Sequence, residues 1–159
     1  MKQVASCHFF ITLVLLLGLS LELFAVKALA APQVRITSVD TLTFGTWSGS
    51  GDMFQTDGVC IYNDTSTNYR ITATATEGSF IMTSGGNNLG YVVTFQGSSG
   101  GFVGLDYNTP TGFTAANMAS ETCGGSTNGN LRVTFTDASL SAAKSGSYSG
   151  SLILLLEPN

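Results

Sequence analysis

Histidine is all but missing from this chain: His8 is the single imidazole in 159 residues, and it lies in an N-terminal stretch unlike the rest. Charged residues make up only 10%, with no block of basic residues and no helical heptad. No internal repeat of roughly 20–50 residues appears, which excludes solenoids and propellers. Without imidazole there is no Ser-His or Cys-His nucleophilic pair and no His-ligated metal. Without clustered cations a phosphate backbone has nothing to hold it, so nucleic acid is not an expected partner.

What the sequence does have is sharply localised. Phe9 to Val26 is an almost unbroken apolar run, with Lys2 ahead of it and Ala28-Leu29-Ala30-Ala31 behind. A charged start, an apolar middle and a small-x-small site make residues 1–30 a signal peptide, and 31–159 a single exported domain. The run is long enough to compete as a membrane anchor, but Glu22 interrupts it. No stable membrane insertion is therefore expected after cleavage. Beyond Ala30 the only basic residues are Arg35, Arg70, Arg132 and Lys144, and the acids lose only Glu22, so the domain is acidic.

Cys7 leaves with the leader, and Cys60 and Cys123 remain. Two cysteines in an exported domain, far apart and without C-x-x-C spacing, predict a structural disulfide.

Apolar residues in the domain recur with period two, the strand signature. Val34 and Ile36 alternate with Arg35 and Thr37, and Leu42 and Phe44 with Thr41 and Thr43. Gly58 to Tyr62 follows, then Tyr69, Ile71, Ala73 and Ala75, separated from it by the turn residues Asn63-Asp64-Thr65-Ser66. Phe80 and Met82 lead into Ser84-Gly85-Gly86-Asn87-Asn88, with Leu89, Tyr91, Val93 and Phe95 as the returning strand. Gly97 to Gly112 reads as a loop pinned by aromatics or as a short edge strand. Leu131, Val133 and Phe135 form another strand, one helical turn fits Ala138 to Lys144, and the last strand runs from Ser147 to Leu156. About eight short strands between Gly, Ser, Asn and Asp turns predict an antiparallel β-sandwich or barrel.

The last strand breaks the pattern. Leu152-Ile153-Leu154-Leu155-Leu156 is apolar on both faces, and wholly exposing Ile153 and Leu155 would cost roughly 1.5–3 kcal/mol each. With only three residues after Leu156 in this sequence, the expected cover is the N-terminal segment or another molecule.

Several segments, taken in order, resemble the spore coat protein U domain family, which includes subunits of archaic chaperone-usher pili. Leu42-Thr43-Phe44-Gly45-Thr46-Trp47 is similar to its Leu/Asp-x-Phe-Gly-x-aromatic opening, and Tyr69-Arg70-Ile71-Thr72-Ala73-Thr74 to its Tyr-x-Ile-x-Leu/Ala strand. Met82-Thr83-Ser84-Gly85-Gly86 with Leu89-Gly90-Tyr91 resembles its Met-x-x-Gly hairpin. Gly146-Ser147-Tyr148-Ser149-Gly150-Ser151-Leu152 resembles its closing Ala-Gly-x-Tyr-x-(Asp/Gly)-x-Leu/Val strand. The resemblance spans about Leu42 to Pro158. It implies an immunoglobulin-like sandwich lacking its seventh strand, the gap filled first by a periplasmic chaperone and then, at an outer-membrane usher, by the N-terminal strand of a neighbouring subunit. Leu152, Ile153, Leu154, Leu155 and Leu156 would be the acceptor residues, and Val34 and Ile36 first-strand or donor residues. Only Ala31 to Thr41 precede the Leu42 motif, too little for a first strand and a donor strand together. A terminal subunit, a self-complemented domain and a pilin with an abbreviated first strand all fit. The alternative to a fibre subunit is a self-complete exported sandwich presenting the Gly97–Gly112 and Ala115–Gly129 loops to a glycan or host surface.

Catalysis is not expected, nor any cofactor. Gly97-Ser98-Ser99-Gly100-Gly101 has the letters of G-x-S-x-G but no strand-turn-helix setting and no histidine. Asp52, Asp57, Asp64, Asp106 and Asp137 read as turn formers rather than as acid/base pairs or calcium ligands. Trp47, Tyr62, Tyr69, Tyr107 and Tyr148 read as core or corner residues ahead of sugar-stacking ones. Arg70 and Arg132 read as solvated or paired.

Overall fold

The computed structural model describes residues 33–159; the expected leader and its cleavage site lie outside them. Two antiparallel sheets and a hairpin hold nearly all the regular structure. The first sheet has the order β1-β2-β9-β6-β7 and the second β10-β3-β8. β1 (Val34–Thr37), β2 (Met53–Asn63), β6 (Val92–Gln96), β7 (Val103–Gly104) and β9 (Gly129–Phe135) build the first. β3 (Tyr69–Ala75), β8 (Thr111–Phe113) and β10 (Leu152–Pro158) build the second. β4 (Ile81–Ser84) and β5 (Asn87–Gly90) form the hairpin, and Asp137–Ala142 is a single short helix, α1.

Alternation in the sequence becomes alternation in burial. Leu131, Val133 and Phe135 of β9 face inward with Val93 and Phe95 of β6, opposite Tyr69, Ile71 and Ala73 of β3. Burial of apolar surface between the sheets supplies the main stabilisation. Phe95 meets Phe113 edge-on with ring centroids 4.9 Å apart, within the roughly 4.5–7 Å usual for such pairs. Gly129 is placed so that a Cβ on it would come within 2.5 Å of the Phe95 ring. Gly129→Ala is therefore expected to destabilise the domain by about 1–3 kcal/mol through overpacking, read as a lower urea midpoint with an unchanged slope.

A seven-stranded immunoglobulin sandwich sets strands A, B, E and D in one sheet and C, F and G in the other. Here β1, β2, β9 and β6 follow the first order, and β3 and β10 take the places of C and F. Among the described residues no strand lies beside β10 where G would be.

Four local expectations change. Leu42 and Phe44 alternate as in a strand, but Ser38 has φ 62°, which turns the chain off β2 after the Thr37–Cys60 pair, and Ser38–Trp47 runs without strand pairing. The strand expected over Leu89–Phe95 is two: β5 pairs with β4, and after Tyr91 β6 joins the larger sheet. The Gly97–Gly112 segment is both of its alternatives, with β7 paired to β6 and Leu105 buried beneath it. Asp57 is no turn residue; it sits inside β2, buried, and its Oδ2 accepts the Asp40 N–H at 2.8 Å.

Candidate functional site

β10 begins later than its sequence suggests, because Gly146–Ser151 first runs along the hairpin. Ser149 bridges Thr83 of β4, and Gly150 allows this approach: a Cβ there would lie 3.2 Å from the Ile81 carbonyl oxygen. Tyr148 Oη donates to the Lys144 carbonyl at 2.9 Å, fixing the corner from which β10 departs. Immunoglobulin-type sandwiches use a tyrosine corner of this kind.

From Leu152 to Pro158, β10 pairs with β3 along one edge. The Thr76 N–H donates to the Ser151 carbonyl, and the Asn159 N–H to Asn68. Odd-numbered positions are thus the hydrogen-bonded ones, and in an antiparallel ladder the residues between them point their backbone groups the other way. Leu152, Leu154 and Leu156 therefore direct N–H and C=O to the outer edge of β10.

The same three leucines turn their side chains inward, half-buried against the core. Leu152 and Leu154 line a groove of about 400 Å³ together with Ile36 of β1 and Leu42 and Phe44 of the unpaired segment. Tyr91, Leu131 and Val133 contribute to the same cavity. A second hollow of about 820 Å³ continues it past Met82, Phe44 and Tyr148 towards α1. Phe44 is held edge-on to Phe135 at 4.7 Å, and Asp57 anchors Asp40 just ahead of Leu42. The wall opposite β10 is thus fixed by one aromatic contact and one carboxylate. Tyr91 brings a phenol to the lining, alongside Asp40, Thr41 and Ser151. Burial first, then the Glu77 carboxylate and the neighbouring Tyr107 phenol, push the Tyr91 phenol up to about 12, so it stays neutral at physiological pH.

The structure divides the five apolar residues of the last strand. Leu152 and Leu154 line the groove and Leu156 packs against the core, whereas Ile153 and Leu155 face outward and are 49% and 54% exposed. The expectation that Ile153 and Leu155 must be covered is not met by any described residue; their cross-strand neighbours are Thr74 and Thr72. Val34 and Ile36 both lie in β1, paired with Asn63 and Ile61, and only Ile36 reaches the groove. Cys60 and Cys123 form the disulfide. None of residues 97–129 lines the groove. Leu42 and Phe44 are the residues whose role the sequence obscured: their alternation was visible, their place as a wall was not. Met82 and Tyr91 stood out only by strand alternation and by the hairpin resemblance, neither of which places them in a groove.

Among the described residues no group of three or more His, Cys, Asp or Glu is arranged to hold a metal, and no helix is long and apolar enough to cross a membrane. No family model and no curated protein matches the chain. Among solved structures it is similar to a chain of a chaperone-tip adhesin complex of CFA/I fimbriae biogenesis, with a TM-score of 0.57 at 14% identity. The match covers 80% of this chain and 43% of that one, so this chain spans less than half of its neighbour. At that identity the likeness is one of fold.

Proposed function

We propose that this chain is an exported structural subunit of a fimbria-type surface fibre, and that the groove beside β10 accepts an extended strand from another chain. One observation carries the reading: a strand edge at Leu152, Leu154 and Leu156, unpaired among the described residues, borders an apolar groove between the two sheets. An open edge is a template for another strand, and natural domains ordinarily blunt or cover it. An added strand would gain main-chain hydrogen bonds from β10 and place alternate side chains on Leu42, Phe44 and Val133, which is how strand addition combines affinity with register. The fold likeness to a component of a fimbrial chaperone-adhesin complex supports the same class of role, as does the family resemblance. On this reading a periplasmic chaperone occupies the groove in transit, an usher and neighbouring subunits take over at the cell surface, and no step is catalytic.

The test uses the purified exported protein and a synthetic peptide of about eleven residues alternating Val or Ile with Thr or Ser. Saturable one-to-one binding is expected, with a rise in Tm and slowed amide exchange at Leu152, Leu154 and Leu156. A peptide of the same composition in which the apolar residues are clustered should do neither. Identical behaviour of the two peptides, or exchange at those amides that no peptide alters, would remove the reading.

A further inference from the structure

The outer face of the larger sheet carries a second arrangement, on the side turned away from the groove. Arg132 projects from the middle of β9, and rings reach its guanidinium from both sides. Phe54 on β2 lies 4.9 Å from Cζ to ring centroid, and Phe102, just before β7, lies 3.8 Å away. Its Nε donates to Thr56 Oγ1 at 3.1 Å. The side chain is half-buried, yet no carboxylate lies within salt-bridge reach among the described residues, where the only ion pair joins Arg35 and Glu121. Nη1 and Nη2 likewise have no partner among those residues. Directly across the ladder, the Thr94 hydroxyl is buried and also without a partner. Phe54 remains 57% exposed and Val92 47%.

We propose that this face is a binding site for a carboxylate-bearing sugar, with Arg132 as the anion receptor. Two aromatic contacts and the Thr56 hydrogen bond hold the guanidinium in one orientation, so little freedom is lost on binding. With Nε engaged, the terminal fork of Nη1 and Nη2 is the edge left for a planar carboxylate, which it matches with two parallel hydrogen bonds. A single guanidinium in a domain whose acids outnumber its bases suits one negative charge; a polyanion or a doubly charged phosphate would meet repulsion from the rest of the surface. The surroundings decide between a sugar and an acidic peptide. A peptide strand needs an open edge, and β9 is interior to its sheet, paired on both sides. A pyranose needs an apolar ring face and a hydroxyl partner, and the exposed Phe54 ring and the Thr56 hydroxyl supply them.

The exported protein titrated with methyl β-glucuronoside should bind it about tenfold or more tightly than methyl β-glucoside, which has a hydroxymethyl group where the glucuronoside has its carboxylate, a difference the size of one charge-assisted pair. Arg132→Gln should bring the two sugars to the same weak level, Arg132→Lys should retain part of the difference, and Phe54→Ala should weaken both sugars alike. The comparison of the two sugars on unaltered protein stands even if a variant misfolds. Equal binding of the two sugars, undetectable binding of the glucuronoside, or an undiminished preference in a folded Arg132→Gln protein would overturn the proposal. So would a glutamate-containing peptide or inorganic phosphate binding as tightly as the glucuronoside. Binding of the alternating peptide at β10 is expected to be unchanged in every variant, so this site and the groove can fail separately.

Discussion

Leu154→Lys should weaken capture of an alternating apolar strand by about 100-fold or more, while Leu155→Lys, one residue further on, should leave it within about twofold. The two positions are adjacent in sequence and opposite in space. Leu154 lines the groove beside Ile36 and Leu42, and a strand laid against β10 would seal it from water. An ammonium enclosed there without a partner costs several kcal/mol, or is kept solvated only by holding the incoming strand away. About 2.7 kcal/mol already corresponds to 100-fold. Leu155 is more than half exposed on the far face of the sheet, across from Thr72, so a lysine there keeps its charge in water. Peptide titration of the two variants, with thermal unfolding of each without peptide as the check on folding, reads the difference. Equal loss in both, or in neither, would show that the groove is not where a strand binds.

Removing the disulfide should have the largest effect on stability. Cys60 and Cys123 are separated by 63 residues, and opening a loop of that length in the unfolded chain is worth about 4 kcal/mol on the chain-entropy account. For a domain whose whole stability is on the order of 5–15 kcal/mol, that is a large share. The bond also fastens a particular piece of structure. Cys123 opens a short 3-10 turn in a segment whose Glu121 pairs with Arg35 and accepts the Thr37 hydroxyl through its carbonyl. Asn128 exchanges hydrogen bonds with Ile61 on β2. The strap from 117 to 128 thus holds β1 down on β2. The Cys60→Ala, Cys123→Ala double variant should lose about 4 kcal/mol in urea unfolding. Its β1 amides should exchange faster relative to those of β3. A loss below about 1 kcal/mol, or two titratable thiols in the unreduced protein, would contradict this.

Period-two alternation made β3, β6 and β9 legible because each has one face on the core and cross-strand partners on both sides. The same alternation at Leu42 and Phe44 misled, since it reports which side chains share a side and not whether another backbone is near enough to pair. Tyr91 gave no warning that the chain passes from one pair of strands to another sheet there; Leu89 and Val93 are both buried, so the pattern is continuous while the pairing is not. At Leu152–Leu156 the unbroken apolar run hid an ordinary alternation in burial. The sequence could identify a strand in need of cover, but which leucines face the groove depends on register with β3. Arg132 was unreadable for a related reason: its meaning lies in Phe54 and Phe102, which only sheet pairing brings to it. The disulfide was legible because it needed only counting and compartment.

The ladder between β10 and β3 has a mechanical consequence. All seven residues of β10 pair with β3 in unbroken register, and antiparallel hydrogen bonds lie across the strand direction. A pull delivered by a strand lying alongside β10 would run parallel to that ladder and strain its bonds in unison. A pull across the ladder would open them singly from one end. On the proposed strand-addition reading, tension along a chain of such subunits would therefore meet the second sheet in its most resistant direction, with the Tyr148 hydrogen bond tethering the corner behind it.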